Sequence, residues 1–283
     1  MIKKKRVIIL GSGGFVSSKV EKYLKKSNIN CICIPRKLVD LTKKKSSKTL
    51  SKLIKQNDYI FIAAAKAPVK NFEMLIYNLQ MLKNITDGID LKKISKITYL
   101  SSDAVYEDTK KAITENSKVC PSSYHGQMHL LREKYLGDFY TNKICIIRPT
   151  LIFGKDDPHN GYGPNKFIRN SKKNMPIALF GNGEEKRDHI FIDDLAKIVS
   201  KIIVNNFKGK INLATGKVYS FQKLAFTINK ILKKKDNIKF LKRNGPMPHL
   251  GYRAFNISKL KKNFKNLKIL DPLVAIRNEI KNY

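Results

Sequence analysis

Near its start the chain reads Arg6-Val7-Ile8-Ile9-Leu10-Gly11-Ser12-Gly13-Gly14-Phe15-Val16-Ser17. The first five residues end in an apolar run, which predicts a buried parallel strand, and the glycines predict a sharp turn before a helix that begins near Phe15. Gly11 permits a tight exit from the strand, and Gly14 lets backbone N–H groups approach a pyrophosphate at the positive end of the helix. The third small position is Ser17 instead of glycine. Such a turn is often only a turn, so the rest of the chain decides whether it binds phosphate.

The composition indicates a globular protein of one domain with a lobe, or of two small domains. The chain has 283 residues, of which 42% are hydrophobic, and its 57 Lys and Arg against 22 Asp and Glu give a net charge of +35. A charge of this size raises nucleic acid or an anionic membrane as a partner. The basic residues are mostly lysines spread along the chain, and no RNA-binding motif accompanies them. We therefore expect a solvated lysine-rich surface with weak polyanion binding, no specific nucleic acid partner and no membrane partner.

The cysteines and the apolar runs indicate a cytoplasmic protein. Cys31 and Cys33 lie two apart on a predicted strand, and neither they nor Cys120 and Cys145 form a C-x-x-C pair, so all four are predicted to be reduced core thiols. No metal site is predicted. The apolar run Val7 to Leu10 is too short for a signal peptide or a membrane span.

Strands alternate with helices over the first 150 residues, which predicts a doubly wound parallel sheet of the α/β class. The predicted strands are Arg6 to Leu10, Cys31 to Ile34, Tyr59 to Ala63, Ile97 to Leu100, Ile144 to Ile147 and Ile211 to Ala214. The predicted helices are Phe15 to Lys26, Ser46 to Gln56, Phe72 to Asp87, Ser123 to Phe139, Lys166 to Lys173, Asp194 to Val204, Phe221 to Leu232 with Ser220 as its N-cap, Ser258 to Phe264 and Pro272 to Lys281. A ligand is expected at the carboxyl ends of the parallel strands.

Motifs along nearly the whole chain resemble those of the extended short-chain dehydrogenase/reductases, in the group of nucleotide-sugar epimerases, dehydratases and ketoreductases. The matching segments, in the order of that family, are Gly11 to Val16, Ile62 to Ala65, Ser101 to Tyr106, Pro121 to Tyr124, Arg148 to Thr150, Phe180 to Gly183 with Arg187-Asp188, and Asp193 to Ala196. The resemblance implies a Rossmann sheet formed by residues 1–150 and about 188–216. It also implies a smaller mixed α/β substrate-binding lobe formed by residues 151–187 and 217–283.

The resemblance assigns catalytic roles to Tyr124, Ser102 and Asp103. Hydride transfer between a sugar carbon and a nicotinamide requires a group that moves the hydroxyl proton, and a tyrosine phenol can do so when nearby positive charge lowers its pKa. Tyr124 is the candidate base and acid, and the Ser102 hydroxyl can orient the same substrate oxygen. Taken singly, the first is also explained as a helix-start aromatic residue and the second as a strand-end cap. Asp103 resembles the acidic residue of the sugar dehydratases, but Ala104 replaces their glutamate base, which disfavours dehydration.

One position departs from the family. A lysine four residues after the tyrosine lies on the same helix face in that family, binds the nicotinamide ribose and acidifies the phenol. Here that position is Met128, which supplies no charge. His129 points about 100° away and is a poor substitute. We expect binding of cofactor and substrate, with slow or differently assisted chemistry.

The resemblance also predicts a nicotinamide dinucleotide, NAD or NADP, and the residues that bind it. Arg36 can grip a 2′-phosphate and stack on adenine, which slightly favours NADP, although it is also one basic residue more in a basic chain. Asp40 resembles the residue near the adenine amine, and Asn78 one that supports the cofactor-side backbone. The predicted cofactor-binding residues are Gly11, Ser12, Gly13, Gly14, Phe15, Val16, Arg36, Asp40, Ala63, Ala64, Asn78, Tyr124 and Pro149.

The implied substrate is a nucleoside-diphosphate sugar. Arg187 and Arg253 resemble arginines that clamp the diphosphate, and Asn165 a polar residue beside it, whereas His249 is expected to be loop structure. The expected reaction is 4-epimerisation by oxidation and re-reduction of a sugar carbon. The alternatives are 4-ketoreduction, a catalytically weakened nucleotide-binding protein and a polyanion-binding protein on the same fold. A homodimer is possible by analogy with the family.

Overall fold

The computed structural model describes residues 5–234 and 237–281, which form two compact units. Among the described residues, the first unit comprises 5–107, 118–149 and 196–211, and the second comprises 108–117, 150–195, 212–234 and 237–281. In chain order to Pro149 the elements are β1 (Arg6–Leu10), α1 (Phe15–Lys26), β2 (Asn30–Ile34), α2 (Ser46–Leu53), β3 (Asp58–Ile62), α3 (Phe72–Asp87), β4 (Ile94–Leu100), a 3-10 helix (Asp103–Val105), α4 (Tyr124–Tyr140) and β5 (Ile144–Pro149).

The later elements, also in chain order, are β6 (Leu151–Phe153), α5 (Pro164–Lys172), β7 (Ile177–Phe180), β8 (Lys186–Phe191), α6 (Ile192–Val204), β9 (Gly209–Leu213), β10 (Val218–Ser220), α7 (Phe221–Leu232), β11 (Ile238–Leu241), a second 3-10 helix (Pro248–Gly251), β12 (Tyr252–Arg253), α8 (Ser258–Asn263) and α9 (Pro272–Lys281).

The first unit contains the predicted Rossmann-type sheet. Its strand order is β2-β1-β3-β4-β5-β9, and the pairs from β2 to β5 are parallel. The order reverses between β1 and β3, so the carboxyl ends of these two strands flank the crevice where such sheets bind ligands. Val7 to Leu10 are fully buried in β1, as a central parallel strand with both faces covered requires. The α/β doubly wound fold is confirmed.

Side-chain hydrogen bonds set several element boundaries. Asn71 caps α3 by accepting from Met74 N at 3.0 Å, and Ser123 caps α4 by accepting from Gly126 N at 3.2 Å. The second helix ends at Leu53 instead of the predicted Gln56. The buried Asp58 accepts from the Lys55 N–H at 2.8 Å and pairs with Arg6 at 2.5 Å, which holds the chain in a turn before β3.

The second unit is a mixed α/β structure. Its larger sheet has the order β10-β8-β12, with β6 beside β8, and β7 pairs with β11 in a separate ribbon. Ser220 caps α7 as predicted, with its Oγ accepting from Lys223 N at 3.0 Å. Asp188 joins β8 to the segment after β9, because its carboxylate accepts from both N and Oγ1 of Thr215.

The cysteines correct one prediction. None of the four cysteines, all of which lie in the described residues, forms a disulfide bond. Only Cys145 is buried, whereas Cys31 and Cys33 are half-buried and Cys120 is exposed. Cys120 lies on the segment that leads into α4, where it has no core to join, so the prediction of four core thiols is wrong. None of the helices in the described residues has the length and apolar character needed to cross a membrane.

Candidate functional site

The glycine turn after β1 leaves room for a phosphate-bearing ligand. Gly11 and Gly13 have φ angles of +96° and +80°, which residues with a side chain rarely adopt. A Cβ added to Gly13 would meet no atom within 4 Å, so this backbone is open. No acidic residue lies in the first turn of α1. The N–H groups at the start of that helix therefore fit an anionic pyrophosphate, and the turn fits the dinucleotide that the sequence predicts.

Two serines fix the shape of this turn. Ser17, at the third small position, donates its hydroxyl to Gly11 O at 2.6 Å and lies 3.1 Å from Gly14 O. Ser12 donates to Ile34 O at 2.8 Å and so joins the turn to the end of β2. Phe15 and Val16, the next predicted cofactor residues, form the half-buried start of α1. The serine at position 17 thus replaces close glycine packing by a hydrogen bond to the turn itself.

The backbone after β3 packs directly against the glycine turn. A Cβ on Gly11 would lie 2.6 Å from Ala64 N, so only glycine fits there. The Ala63 N–H also donates to Leu10 O at 2.9 Å. Asn78 is fully buried, and its amide bonds both the N–H and the C=O of Lys66, at 2.8 and 3.1 Å. Asn78 therefore holds the backbone at Lys66, two residues after Ala64.

Ser102 lies at the carboxyl end of β4 and caps the first 3-10 helix, since its Oγ accepts from Ala104 N at 3.2 Å. The preceding Ser101 is anchored in the core. Its hydroxyl donates to Glu133 on α4 at 2.5 Å, and the same carboxylate accepts from Arg148 of β5 at 2.9 and 2.5 Å. This buried network ties α4 to the ends of β4 and β5 and so fixes the segment that carries Ser102 and Asp103.

Tyr124 is the first residue of α4, and its side chain is 42% exposed. The first turn of the helix rests on the 3-10 helix, because a Cβ added to Gly126 would overlap the Ala104 carbonyl and lie 2.6 Å from Pro121 Cβ. The structure therefore brings the segment that carries Tyr124 against the one that carries Ser102, within the first unit.

Met128 is fully buried and packs with Val69 and Leu75. His129 is also buried and shares a 2.7 Å hydrogen bond between its Nδ1 and the Tyr99 hydroxyl. Burial, with His125 and Arg132 nearby, lowers the pKa of His129 well below its ordinary value, so the imidazole is neutral at pH 7. His129 therefore supplies no charge in place of the family lysine.

The remaining predicted cofactor residues lie at two strand ends. Arg36 and Asp40 follow β2 and form a loose ion pair, with 3.6 Å between the Arg36 Nη2 and the Asp40 Oδ2. The Arg36 side chain is 76% exposed. The Asp40 carboxylate accepts from Thr42, and this hydrogen bond lowers its pKa. Pro149 is the buried last residue of β5.

In the second unit Arg187 and Arg253 are directly opposite each other on the paired strands β8 and β12. Each is buried beside a carboxylate. Arg187 donates to Glu185 at 2.6 Å, and Arg253 to Asp108 at 3.0 Å. Arginine guanidinium groups bind phosphates well, so these two adjacent arginines are the candidates for the diphosphate contact that the sequence predicts.

Asp108 also binds His249, whose Nδ1 lies 2.5 Å from the carboxylate. Burial and the charges of Arg187 and Arg253 lower the pKa of His249. Asn165 is buried as well. Its Oδ1 accepts from Gly154 N at 2.8 Å and its amide donates to Asp157 at 2.6 Å, so it holds the loop that precedes α5.

Sequence reasoning missed the charged residues that surround these groups. Glu133, Glu185 and Asp108 neutralise neighbouring arginines. Glu185 is only two residues from Arg187, whereas the pairs of Glu133 with Arg148 and of Asp108 with Arg253 join positions distant in the sequence. Arg132 offered a local signal, because Tyr124, Met128 and Arg132 are spaced by four and share one helix face. Among the described residues no group of His, Cys, Asp and Glu could hold a metal ion.

Comparison with known proteins gives the same assignment. Residues 7–215 match the model of the NAD dependent epimerase/dehydratase family. A putative UDP-glucose 4-epimerase of Methanocaldococcus jannaschii is 27% identical over 244 residues, which cover 77% of this chain and 79% of that protein.

Two solved structures have the same fold. The UDP-glucose 4-epimerase of Thermus thermophilus in complex with NAD has a TM-score of 0.80 at 19% identity, covering 98% of both chains. A GDP-L-fucose synthetase of Naegleria fowleri bound to NADP has a TM-score of 0.83 at 17% identity, covering 99% of this chain and 93% of the other. The chain belongs to the NAD dependent epimerase/dehydratase family and is a nicotinamide-dependent enzyme of the isomerase or oxidoreductase type.

Proposed function

We propose that this enzyme epimerises a nucleoside-diphosphate sugar at a ring carbon by oxidation and re-reduction. The observation that carries the proposal is the packing of the Tyr124 segment on the segment capped by Ser102, in the unit whose open glycine turn fits a dinucleotide. Family membership and the 4-epimerase name of the Methanocaldococcus relative support the reaction class.

In the first unit, some residues bind the cofactor and others transfer the proton. Gly11 to Val16 and the Ala63–Ala64 backbone hold the nicotinamide dinucleotide, which supplies the hydride acceptor and donor. Tyr124 removes the proton of the sugar hydroxyl as the carbon is oxidised and returns it on reduction, and Ser102 holds the same oxygen by a hydrogen bond. Asp103 lies next to Ser102 and supports this segment. Because Ala104 stands where a dehydratase has glutamate, no base for dehydration is present at that position.

The second unit binds the nucleotide-sugar diphosphate through Arg187 and Arg253. Their positions on adjacent strands suit the two phosphates. Asn165 holds the loop that precedes α5 by accepting a hydrogen bond from Gly154 N. Net ketoreduction of a keto sugar uses the same residues. A second candidate is a weakened nucleotide-binding protein, because Met128 removes the lysine charge that assists the phenol in relatives.

A substrate panel tests the proposal. Purified enzyme with NAD(H) or NADP(H) is incubated with UDP-, dTDP- and GDP-sugars while nicotinamide absorbance is followed and the sugar products are resolved by NMR. A sugar product with inverted configuration at one carbon, formed without net consumption of the cofactor, supports epimerisation. Consumption of one reduced cofactor per sugar converted indicates ketoreduction. Binding of both ligands without either change favours the weakened protein, and no binding of any dinucleotide contradicts the proposal.

The cofactor is proposed to be NADP(H) in preference to NAD(H). Arg36 is exposed, and its guanidinium is held near Asp40 only by a 3.6 Å contact, so it can turn to a 2′-phosphate. Titration of the wild type and of Arg36→Ser with NADPH and NADH tests this. NADPH binding should weaken about tenfold in the variant while NADH binding stays within about twofold, and tighter NADH binding by the wild type would overturn the preference.

We also propose a homodimer through α3 and α4. These helices pack on each other and expose large apolar side chains, Phe72 and Ile76 from the first and Leu131 and Phe139 from the second. Exposed apolar surface of this kind marks interaction sites.

A further inference from the structure

Arg132 is a buried cation without a counter-ion among the described residues. Its side chain is fully buried on α4, Nη1 donates to Ala64 O at 3.0 Å, and the guanidinium lies 5.1 Å from the centre of the Tyr99 ring. Its Nε and Nη2 have no hydrogen-bond partner in residues 5–234 and 237–281. None of the ion pairs formed by these residues includes Arg132. Buried charges are costly unless they are paired, so an arginine in this state points to an anion that completes its surroundings.

The position of Arg132 connects it to the cofactor turn. The carbonyl that it binds belongs to Ala64, and the N–H of the same residue is the atom against which Gly11 packs, at 2.6 Å from an added Cβ. Two residues further along the chain, Asn78 holds Lys66 through two hydrogen bonds. Arg132 therefore supports the backbone on which the glycine turn rests, and it places a positive charge beneath that backbone.

Met128 fits this arrangement and a lysine would not. The Met128 sulfur lies 3.8 Å from Arg132 Nη1, and both side chains are fully buried. A lysine at 128 would bring a second cation into this dry space, where like charges repel strongly. The charge absent at position 128 is thus present one helical turn further along the same face.

We propose that Arg132 is the charged positioning residue of the cofactor site. It replaces the lysine whose position Met128 occupies, and an anionic dinucleotide on the adjoining turn compensates its charge. The inference rests on the proposed function, because it requires a nicotinamide dinucleotide at Gly11 to Gly14.

The test moves the positive charge on α4 from position 132 to position 128. Four proteins are compared with the wild type: Arg132→Met, Met128→Lys, the double variant Met128→Lys/Arg132→Met, and the control Lys134→Met, which removes an exposed cation from the same helix. NADH and NADPH dissociation constants are measured by nicotinamide fluorescence, and melting temperatures are measured with and without the dinucleotide. These readouts need no turnover.

Arg132→Met should weaken dinucleotide binding about tenfold and reduce the cofactor-induced rise in melting temperature. The double variant should recover binding to within about threefold of the wild type, because the charge is restored at position 128. If Arg132 only supported the backbone, a lysine at position 128 would not restore binding. Met128→Lys alone should lower the melting temperature, and Lys134→Met should leave binding within about twofold.

Wild-type affinity in Arg132→Met, or a double variant that binds no better than Arg132→Met, would overturn the inference and leave the proposed function intact. If Arg132→Met fails to fold, Met128→Lys decides, and its melting at the wild-type temperature with wild-type affinity would also overturn it. A wild type that binds neither dinucleotide would instead refute the proposed function.

Discussion

Gly126 in the first turn of α4 lies directly on Ala104, so closely that a methyl group on the glycine would overlap the alanine carbonyl. Ser102 caps the 3-10 helix to which Ala104 belongs, and Tyr124 is two residues before Gly126. The absence of one side chain therefore brings the two proposed catalytic segments together.

Gly126→Ala should destabilise the protein and reduce its turnover. The added methyl would push α4 away from Ala104 and Pro121, and overpacking of this kind costs about 1–3 kcal/mol of the free energy of unfolding. Urea denaturation measures the stability, and product formation measures the turnover.

Gly137→Ala is the matched control, because a Cβ at Gly137 on the same helix meets no atom within 4 Å. Its free energy of unfolding should rise by up to about 1 kcal/mol, since alanine is the better helix former. Equal stability of the two variants would show that the close approach to Ala104 has no energetic weight.

Tyr124→Phe should lower turnover by about a hundredfold or more while leaving dinucleotide binding nearly unchanged, because it removes only the group that transfers the proton. Ser102→Ala should lower turnover less and should also loosen the cap on Ala104. Steady-state kinetics and cofactor titration separate the two effects. Full turnover in Tyr124→Phe would mean that another group moves the proton.

His189 should make the protein less stable in mild acid. Burial, with the charge of Arg187, lowers the pKa of this imidazole to about 3, so the folded protein keeps it neutral while the unfolded chain takes up a proton below about pH 6.5. Stability from this group is therefore complete above about pH 6.5 and falls as the pH decreases towards about 3, with a loss of about 2 kcal/mol at about pH 5.

His189→Phe removes this loss. Urea denaturation at about pH 7.5 and about pH 5 should show a smaller decrease for the variant than for the wild type. Asp188, whose pKa burial raises to about 6, acts in the opposite direction but equally in both proteins. The exposed His159 provides the control His159→Gln, which should keep the wild-type slope. An unchanged slope in His189→Phe would contradict the assignment.

Ile76→Glu and Leu131→Glu should each dissociate the proposed homodimer, because a carboxylate would have to be desolvated in the interface. Light scattering after size exclusion gives the mass. Val274→Glu, at an exposed apolar residue of α9, should leave the mass unchanged. A wild type of monomer mass at micromolar concentration would contradict the dimer itself.

Local sequence signals predicted most of the fold. The apolar run of β1, the helical spacing of α1 and α3 and the Ser220 cap all depend on neighbours in the chain, and each predicted element has a counterpart in the structure. The ends were less accurate where a distant residue determined them. The Asp58 carboxylate, for example, stops α2 early through contacts with Lys55 and Arg6.

The site followed a similar rule. The order of the motifs predicted Gly11 and Ser102 at the ends of strands and Tyr124 at the start of a helix, where the structure places them. It did not identify their partners, because Glu133 contacts Arg148 and Arg253 contacts Asp108 only after the chain has folded. The close packing of Gly126 on Ala104 could not be predicted from the sequence either, because a glycine near the start of a helix can serve several different structural purposes.

The carboxylates beside Arg187 and Arg253 have a consequence for selectivity. In a chain with a surplus of 35 positive charges, anions of every kind accumulate at the surface. A lone chloride or a single phosphate that approaches these two arginines must compete with the tethered oxygens of Glu185 and Asp108, which are held at close range by the fold. A ligand that carries two linked phosphates can displace both carboxylates in one binding event. We therefore expect this exchange of counter-ions to favour diphosphates over the simpler anions that the protein attracts.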